Sequence, residues 1–496
     1  MVPNTLGGHP SSRWAVVVAA VSAAALIGAH PARAAGRNPL AFSRAFHCAA
    51  DPDAATTVPG WNIVSGSPAL RCANSLHAAW PGVPVPRVAI TSGPYGASVL
   101  ERVITLRARM AAVRRLTLSA WFAASGRARA RGVLSATFLG ASGQTLGPAS
   151  VLRGPTAAAR SALLRFEARR IDADIPRDAV ALRLRLDLGG TTAHGRSYIA
   201  ALRLQVEPPM AFAPPSPPAA NVPRFDHVFL IMMENTDYGQ LIGDRRDAPY
   251  MNSLAARGAL LANYQAIYHP SDENYLAIAG GDAFVSRGVY FPNIHVAARN
   301  LGDLLEAAGR SWRTYEEGMG TPCNTSTRYD RNYEPDDAPF ILFSDIQRNP
   351  ARCRAHLVDL REWSKDLKRT ATTPAFAWLA ADDYDDGELP GNGSPKSLQV
   401  QDAWLRATLE PLFSSPAWRD QKSLLILTWD ESDTTTNNHI PTIVLGSRGT
   451  VKSGYISDIR YDHYSTARTI EAALGLPAMT SNDGYARCFD DVFAGR

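Results

Sequence analysis

Beyond its first residues, the sequence has no long hydrophobic run. After position 34, no stretch reaches the about 18 consecutive apolar residues that a membrane-spanning helix needs. We therefore expect no transmembrane segment. The short apolar run at 15–28 follows Arg13 and precedes an Ala-Arg-Ala sequence at 32–34. This pattern predicts a signal peptide over 1–34, and a protein that is secreted or periplasmic after cleavage near Ala34.

Cysteine is also scarce, with five residues in 496. None of them forms a C-x-x-C motif, which argues against a thiolate zinc site. Export makes disulfides possible, and the local pairings that we expect are Cys48 with Cys72 and Cys323 with Cys353. Cys488 is then left over, although the sequence leaves other pairings open.

A strong charge of one sign is absent as well. The formal net charge is +5, and the excess is spread as single arginines rather than concentrated in a basic run. This distribution is typical of a solvated surface, so we expect no nucleic-acid partner.

A proline-rich stretch at 208–223 divides the chain. It cannot form helix or sheet and reads as an extended linker. Before it, short alternating segments separated by turns predict an all-β sandwich over 35–207, with strands at 116–122, 132–139 and 180–186 and a hairpin turn at 140–143. The sequence at 60–68 resembles jelly-roll modules of the galactose-binding type, which implies a glycan or cell-surface ligand. A structural sandwich without a ligand is the alternative.

Beyond the linker, over 224–496, the pattern changes to continuous apolar runs at 227–233, 374–380, 423–429 and 441–446. Such runs are typical of strands buried on both faces of a parallel sheet. Helical patterns lie between them, at 250–257, 301–308, 356–367, 399–413 and 466–474. The alternation predicts an α/β domain, with a mainly parallel sheet and helices on both faces.

Acidic residues follow three of these four runs. Glu234-Asn235 follows the first, the acidic segment 382–388 the second, and Asp430-Glu431 the third. Ligands bind beyond the carboxyl ends of strands in open α/β sheets, so these carboxylates should converge around a divalent cation. Oxygen ligands suit Mg, Mn or Ca, and an added histidine would admit Zn. Solvated loops or caps are the alternative for each cluster taken singly.

Ser271 lies between Pro270 and an apolar run that begins at Tyr275. Pro270 ends the preceding segment, and Ser271 or Asp272 can cap the helix that follows. A hydroxyl at a helix N-terminus lies beside unpaired N–H groups that bind anions, and it can attack phosphorus. Ser271 is therefore either a nucleophile or only an N-cap.

Three histidines lie near these segments. His463 precedes the last helix, and it is either a metal ligand or acid, or a capping or packed residue. His269 and His439 carry the same alternatives, and His439 follows Asp430 closely enough to reach the cleft.

Several motifs in order resemble those of a known family. Residues 225 to about 490 resemble the bacterial and fungal phosphoesterase family of acid phosphatases and phosphatidylcholine-type phospholipases C, whose core is similar to the alkaline phosphatase superfamily. The matching segments are 227–235, 248–255, 263–276, 402–405, 428–433 and 463–471. The resemblance implies an alkaline phosphatase-like fold after the jelly-roll-like sandwich.

The resemblance also implies roles for individual residues. The main metal and phosphate site would comprise Glu234, Asn235, Ser271, Asp430 and Glu431. Ser271 would be the nucleophile that forms a phosphoserine, and Asn235 would donate a hydrogen bond to a phosphate oxygen. On the opposite side, with the leaving group or a second metal, would lie Asp382, Asp386 and His463.

Two features depart from the family pattern. Glu388 follows Asp385-Asp386-Gly387 where the family usually has a histidine. A carboxylate cannot act as a neutral imidazole donor, so the resemblance does not carry over a second metal or the usual acid at this position. Asp272 and Glu273 add negative charge directly after Ser271, which weakens binding of a phosphate dianion, favours a more neutral diester, or is offset by metal.

The sequence thus predicts an exported, metal-dependent phosphoesterase that hydrolyses phosphate monoesters through a phosphoserine. Phospholipase C or another phosphodiesterase is the nearest alternative, and the end of the chain soon after the last predicted helix favours the phosphatase. A catalytically decayed glycan- or surface-binding protein is the alternative from another class, and Glu388 is the residue that suggests it.

Overall fold

A computed structural model describes residues 40, 54–72, 88–93, 96–106, 115–125, 131–155, 166–191, 195–207, 216–285, 288–326, 332–433 and 437–495. The predicted signal peptide, Cys48 and the first half of the proline-rich stretch lie outside these residues.

The N-terminal part contains two antiparallel sheets, which confirms the all-β prediction. One has the strand order β1-β4-β9-β6-β7 and the other β2-β3-β11-β5-β8, with β10 paired to β11. The strands are β1 (Asn62–Ser65), β2 (Ala69–Cys72), β3 (Val88–Thr91), β4 (Ser98–Thr105), β5 (Arg115–Ala124), β6 (Gly132–Leu139), β7 (Thr145–Arg153), β8 (Glu167–Asp174), β9 (Ala181–Leu188), β10 (Gly190–Thr191) and β11 (Gly195–Glu207).

Alternation builds the core of this sandwich. Along β9, Leu182, Leu184, Leu186 and Leu188 are buried while the residues between them are partly exposed. Successive side chains of a strand point to opposite faces, so one face packs inward. The predicted hairpin turn joins β6 to β7, and Gly140 N donates to Gln144 O at 2.9 Å.

The C-terminal part is built on an eight-stranded, mostly parallel sheet of order β16-β15-β17-β12-β18-β19-β13-β20. A two-stranded sheet joins β14 to β21. The strands are β12 (His227–Met233), β13 (Ala259–Leu261), β14 (Tyr264–Gln265), β15 (Trp312–Glu316), β16 (Leu357–Asp359), β17 (Phe376–Ala380), β18 (Ser423–Trp429), β19 (Thr442–Gly446), β20 (Tyr455–Ser457) and β21 (Tyr461–Asp462).

The helices connect these strands. They are α1 (Tyr238–Leu241), α2 (Pro249–Arg257), α3 (Asp272–Gly280), α4 (Leu301–Ala307), α5 (Ser344–Gln347), α6 (Pro350–His356), α7 (Trp363–Asp366), α8 (Pro395–Ser414), α9 (Pro416–Asp420), α10 (His463–Leu474) and α11 (Ser481–Gly484). Short 3₁₀ turns occur at Pro335–Asp337, Pro339–Leu342, Leu360–Glu362 and Ser447–Gly449.

Three central strands place the candidate site. β17, β12 and β18 are neighbours, run parallel and are buried along their whole length. Their carboxyl ends therefore open at one edge of the sheet, as the apolar runs predicted.

Two sequence predictions need correction. The run at 441–446 forms β19, but β19 pairs antiparallel to β18, because the chain reverses direction between the two strands. The helix expected at 356–367 is wrong, since Leu357, Val358 and Asp359 form the edge strand β16 beside β15 and the chain only then turns into α7.

The sandwich contacts the α/β part next to Ser271. Ala55 N donates to Ile267 O at 3.0 Å, and the Tyr464 hydroxyl donates to Ala55 O at 3.1 Å. Arg460 Nε donates to Gly66 O at 3.0 Å. The backbone hydrogen bond between Ala55 and Ile267 thus joins the N-terminal part to the segment that leads into α3.

The disulfide Cys323–Cys353 is present, as predicted. Cys72 is also disulfide-bonded, whereas its predicted partner lies outside the described residues. Cys488 is a buried free thiol, and burial raises its pKa to about 12. Among the described residues, no helix combines the length and apolar character needed to cross a membrane.

Candidate active site

Ser271 immediately precedes α3, but its hydroxyl does not cap that helix through any described backbone N–H. Its Oγ lies 3.3 Å from Glu234 Oε2, so it donates across to the end of the neighbouring strand. The hydroxyl is only partly buried. Ser271 thus contacts a carboxylate at a strand end and makes no capping bond, which argues against the N-cap interpretation.

The side chain of Asn274 holds the segment that carries Ser271. Its Oδ1 accepts from Ile267 N at 3.0 Å and Tyr268 N at 3.1 Å, while its Nδ2 donates to Tyr268 O at 3.1 Å and Pro270 O at 3.3 Å. A buried amide that satisfies several backbone groups at once fixes a loop that makes few regular hydrogen bonds.

Glu234, Asn235 and Asp430 meet where β12 and β18 end. Asn235 N donates to Asp430 Oδ1 at 3.0 Å, and Asn235 Nδ2 donates to Glu234 Oε2 at 2.8 Å. Asn235 adopts a φ of 48°, which asparagine tolerates better than most residues. The turn therefore directs the two carboxylates and the amide into one buried site.

Glu431 forms the other side of this group. Its Oε1 lies 2.9 Å from His269 Nδ1, and its Oε2 lies 3.5 Å from Asn274 Nδ2. Thus Glu234, Asn235, Ser271, Asp430 and Glu431, which the sequence predicted as one site, are linked by direct contacts or by shared neighbours.

A second acidic group adjoins the first. One carboxylate oxygen from each of Asp337, Asp383 and Asp386 lies within 4.8 Å of the others. Asp386 and Asp337 both contribute to raising the pKa of Glu234, so the two groups sense each other's charge.

Asp382 lies in a different cluster. It groups with Glu317 and Asp385, and its Oδ1 accepts from Tyr384 N at 3.1 Å and Asp385 N at 3.0 Å. Those bonds stabilise the turn after β17. Asp382 and Asp386, which were predicted as ligands of one site, therefore fall in two separate groups.

The carboxylates of both groups have raised pKa values. Burial is the main cause for Glu234, followed by the charges of Asp430, Asp386, Asp337 and Glu388. Burial also raises the pKa of Asp430, and burial followed by the charge of Asp430 raises that of Glu431 well above its usual range. Carboxylates that repel one another out of water ionise together only when a cation neutralises them.

The donor set fits a divalent cation. Asp430 Oδ2 is buried and has no hydrogen-bond partner among the described residues, a state that costs free energy unless another group binds that oxygen. The five residues of the main site offer oxygen donors, which suit Mg, Mn or Ca.

His463 lies behind this site. It is fully buried, its Nε2 is 2.7 Å from Asp430 O, and its Nδ1 is 3.0 Å from the Tyr264 hydroxyl. Burial lowers its pKa to about 4, so the ring is neutral near pH 7. Both ring nitrogens contact protein groups, and the ring supports the backbone of Asp430.

His439 also stays outside the carboxylate groups. Its Nε2 lies 2.9 Å from Ala262 O, and its ring stacks on the ring of Tyr238, with 4.5 Å between the ring centroids. Of the three histidines considered from sequence, His269 is the one in contact with a carboxylate of the main site.

Sequence reasoning missed Tyr275, Asp337 and Glu316, whereas it included Asp383 only as a member of the acidic segment 382–388. The Tyr275 hydroxyl donates to Glu234 Oε1 at 2.6 Å. Glu316 ends β15 and is followed by Glu317, so the rule of carboxylates at strand ends applies to it too. That strand contains Arg313 and Thr314 and lacks a continuous apolar run, which hid the signal.

Comparison with known proteins places these motifs in a family. The model of the Phosphoesterase family matches residues 244–477, a segment that begins after Glu234. The chain is 31% identical over 274 residues to a phosphatidylinositol-3-phosphatase of Mycobacterium tuberculosis, covering 54% of this chain and 82% of that protein.

Two further similarities cover less of the matched protein. The chain is 30% identical over 278 residues to a protein of Kluyveromyces lactis named "Probable acid phosphatase", covering 54% of this chain and 62% of that one. A solved structure of an alkaline phosphatase superfamily protein from Vibrio parahaemolyticus has a TM-score of 0.41 and 14% identity, covering 55% of this chain and 71% of that one.

Proposed function

The chain belongs to the phosphoesterase family, and we propose that it hydrolyses phosphate monoesters with Ser271 as nucleophile and a divalent cation as cofactor. The observation that carries the proposal is the hydroxyl of Ser271, which turns away from a capping role and lies 3.3 Å from Glu234 in a group of buried carboxylates.

The residues of the main site have different proposed roles. Glu234, Asn235, Ser271, Asp430 and Glu431 would hold the cation, which, when bound, would lower the pKa of the serine hydroxyl and offset charge on the phosphoryl oxygens. Glu234 Oε2 gives the hydroxyl proton an acceptor. Asn235 supplies an amide donor for a phosphate oxygen.

The reaction proceeds by two displacements. Ser271 Oγ forms a bond to phosphorus while the bond to the alcohol leaving group breaks, and the alcohol takes up a proton. Water then attacks the phosphoserine, releasing phosphate and restoring the hydroxyl. We assign Asp386 to the leaving-group side, as the family resemblance implies. His463 acts as a positioning residue through the backbone of Asp430.

The relatives' names favour monoesters as substrates. Both curated relatives described above are named as phosphatases, one of them for a phosphorylated inositol lipid. A phosphodiester or phosphatidylcholine substrate is the next choice, because the same main site would serve it.

We also propose that the protein is exported after cleavage near Ala34, and that the sandwich binds a glycan or cell-surface ligand. The basis for the first is the predicted signal peptide, and for the second the jelly-roll-like pattern. N-terminal sequencing of the secreted protein tests the cleavage site, and a glycan array tests the ligand.

The test of the catalytic proposal is hydrolysis of p-nitrophenyl phosphate from acidic to alkaline pH by the purified protein. We expect a rate that falls by several powers of ten in Ser271→Ala and in excess chelator, with unchanged folding by circular dichroism. Near-normal turnover by Ser271→Ala would remove the nucleophile assignment. If neither protein hydrolyses the monoester but the wild type cleaves a diester, the monoester preference is wrong.

A further inference from the structure

The contact between the N-terminal part and the α/β part lies at the segment that leads to Ser271. Ala54 and Ala55 are buried in an apolar cluster that also contains Ile267 and Tyr464. Ala55 donates its N–H to Ile267 O at 3.0 Å, and its carbonyl oxygen accepts from the Tyr464 hydroxyl at 3.1 Å. Ala55 therefore contacts both the nucleophile segment and the first turn of α10.

Ala55 is itself held by the sandwich. The next residue, Thr56, donates its N–H to Pro68 O at 3.0 Å, and its hydroxyl oxygen accepts from Leu70 N at 2.6 Å. Val58 belongs to the buried core of the sandwich. The start of β2 and the sandwich core therefore set the position of Ala55.

Arg460 makes a second connection between the two parts. Its side chain is only 3% exposed, its Nε donates to Gly66 O at 3.0 Å, and its Nη1 pairs with Asp462. Gly66 lies in the turn between β1 and β2 with a φ of 76°, and an added Cβ would lie 2.3 Å from Ala97 O. The turn is thus closely packed within the sandwich, and its carbonyl gives the planar guanidinium a fixed partner.

Asp462 connects Arg460 to the start of α10. Its Oδ1 accepts from Ser465 N at 3.0 Å, so it caps that helix. Asp462 also lies in β21, which pairs with β14 shortly before the nucleophile segment. The next residue, His463, has its Nε2 2.7 Å from Asp430 O. This short segment therefore contacts the sandwich, the chain before the nucleophile and a strand end of the main site.

We propose that the sandwich is a structural part of the active site, and that Tyr464 and Arg460 are positioning residues through which it holds the segment of Ser271 and the end of β18 in place. Reacting groups must be held within about 0.5 Å of their productive geometry. In this interpretation the sandwich affects the reaction whether or not it binds a ligand. The catalytic consequence rests on the proposed function, whereas the effect on the two segments is measurable without turnover.

Steady-state kinetics of the full chain on p-nitrophenyl phosphate measures the catalytic consequence. Tyr464→Phe removes only the hydroxyl that bonds to Ala55 O, so we expect kcat to fall about fivefold. Arg460→Lys keeps a positive charge beside Asp462, but a single ammonium lacks the fork that bonds both partners, so kcat should fall about tenfold. KM should change little in either variant, since neither side chain touches the substrate.

Two variants serve as matched controls. Tyr461→Phe removes an equally buried hydroxyl three residues away, which donates to Asp491 Oδ1 at 2.7 Å rather than to the sandwich. Arg224→Lys alters another guanidinium that donates to a backbone carbonyl, since Arg224 Nη1 bonds to Ala472 O at 2.8 Å near the other end of α10. Both controls should keep the kcat of wild type.

Hydrogen–deuterium exchange with mass spectrometry tests the coupling without turnover. Tyr464→Phe and Arg460→Lys should both speed exchange in peptides over 262–270 and 428–433, whereas the two controls should leave these segments at the wild-type rate. If wild type does not hydrolyse the ester but exchange responds in this way, the proposed function is wrong and the coupling stands.

Three results would overturn the proposal. The first is unchanged exchange in both segments in both variants, even in an active enzyme. The second is unchanged kcat in Tyr464→Phe and Arg460→Lys when wild type is active. The third is an equal loss of kcat in Tyr461→Phe, because general weakening of this region would then account for the effect without the sandwich.

Discussion

At the scale of single residues, the main site is a set of carboxylates aligned by neutral donors. Glu234 illustrates this, since it accepts from Ser271, Asn235 and Tyr275. Burial, followed by the charge of Glu234, raises the pKa of Tyr275 well above its usual value. The phenol therefore stays protonated and donates at any working pH.

Tyr275→Phe should lower kcat for p-nitrophenyl phosphate about tenfold. A hydrogen bond to a charged group contributes about 1.5–3 kcal/mol, and its loss frees Glu234 Oε1 from its fixed orientation. Steady-state kinetics in saturating cation measures the effect.

Tyr250→Phe is the control for that measurement. Its hydroxyl also donates to a glutamate, Glu410 Oε1 at 3.0 Å, but it lies in α2 outside the site. An equal loss of activity in both variants would contradict a specific role for Tyr275.

At the scale of elements, the site depends on how α3 is held at its two ends. Asn274 fixes the segment before the helix, and Gly281 ends the helix with a φ of 78°. A Cβ at Gly281 would lie 3.0 Å from Asp483 Oδ1 and Thr480 Cγ2. The end of the helix is therefore both left-handed and closely packed.

Gly281→Ala should destabilise the protein by about 1–2 kcal/mol, because left-handed backbone strain and close contact add together. Gly309→Ala is the matched control, since Gly309 has a φ of 65° and no described atom within 4 Å of the added Cβ. Urea unfolding should give the larger loss for Gly281→Ala. Equal losses would mean that strain alone acts there.

The disulfide Cys323–Cys353 closes the segment that carries Asp337. Replacing both cysteines by alanine should cost about 2–4 kcal/mol in the free energy of unfolding, since the cross-link restricts the unfolded chain. Denaturant unfolding of the variant against wild type measures this. Unchanged stability would contradict a structural role for the bridge.

The elements also explain what could be predicted from sequence. β12 and β18 are continuous apolar runs, and the strand-end rule then placed Glu234, Asp430 and Glu431 together correctly in space. β16 has only three residues, so the sequence predicts a helix there instead. β15 contains polar residues, so its sequence gives no signal of a buried strand that ends at Glu316. Contacts such as that between His463 and Asp430 O join positions 33 residues apart and depend on tertiary packing.

At the scale of the whole molecule, the excess of buried carboxylates couples stability to pH and to cations. Burial, followed by the charges of neighbouring carboxylates, raises the pKa of Asp383 to about 8. Burial, followed by the charge of Glu273, raises the pKa of Asp272 to about 7. In the unfolded chain the pKa of such carboxyl groups is about 4. The folded state thus holds more protons than the unfolded state between these limits.

Without cation, the free energy of unfolding should therefore fall as pH rises from about 5 to about 8. The reason is that ionising these groups costs more free energy in the folded chain than in the unfolded chain. Thermal unfolding in chelator should show a falling Tm over this range, and added MgCl₂ or CaCl₂ should raise Tm most at the upper end. A Tm in chelator that rises with pH would contradict this picture.

The central claim is that the phosphoryl group is transferred first to Ser271 Oγ and only then to water, rather than directly from substrate to water. The most direct test is the stereochemical course at phosphorus, measured with an isotopically chiral aryl phosphate and an alcohol acceptor. Each in-line displacement inverts the configuration. The phosphoserine pathway predicts overall retention, since it contains two displacements, and overall inversion would contradict it.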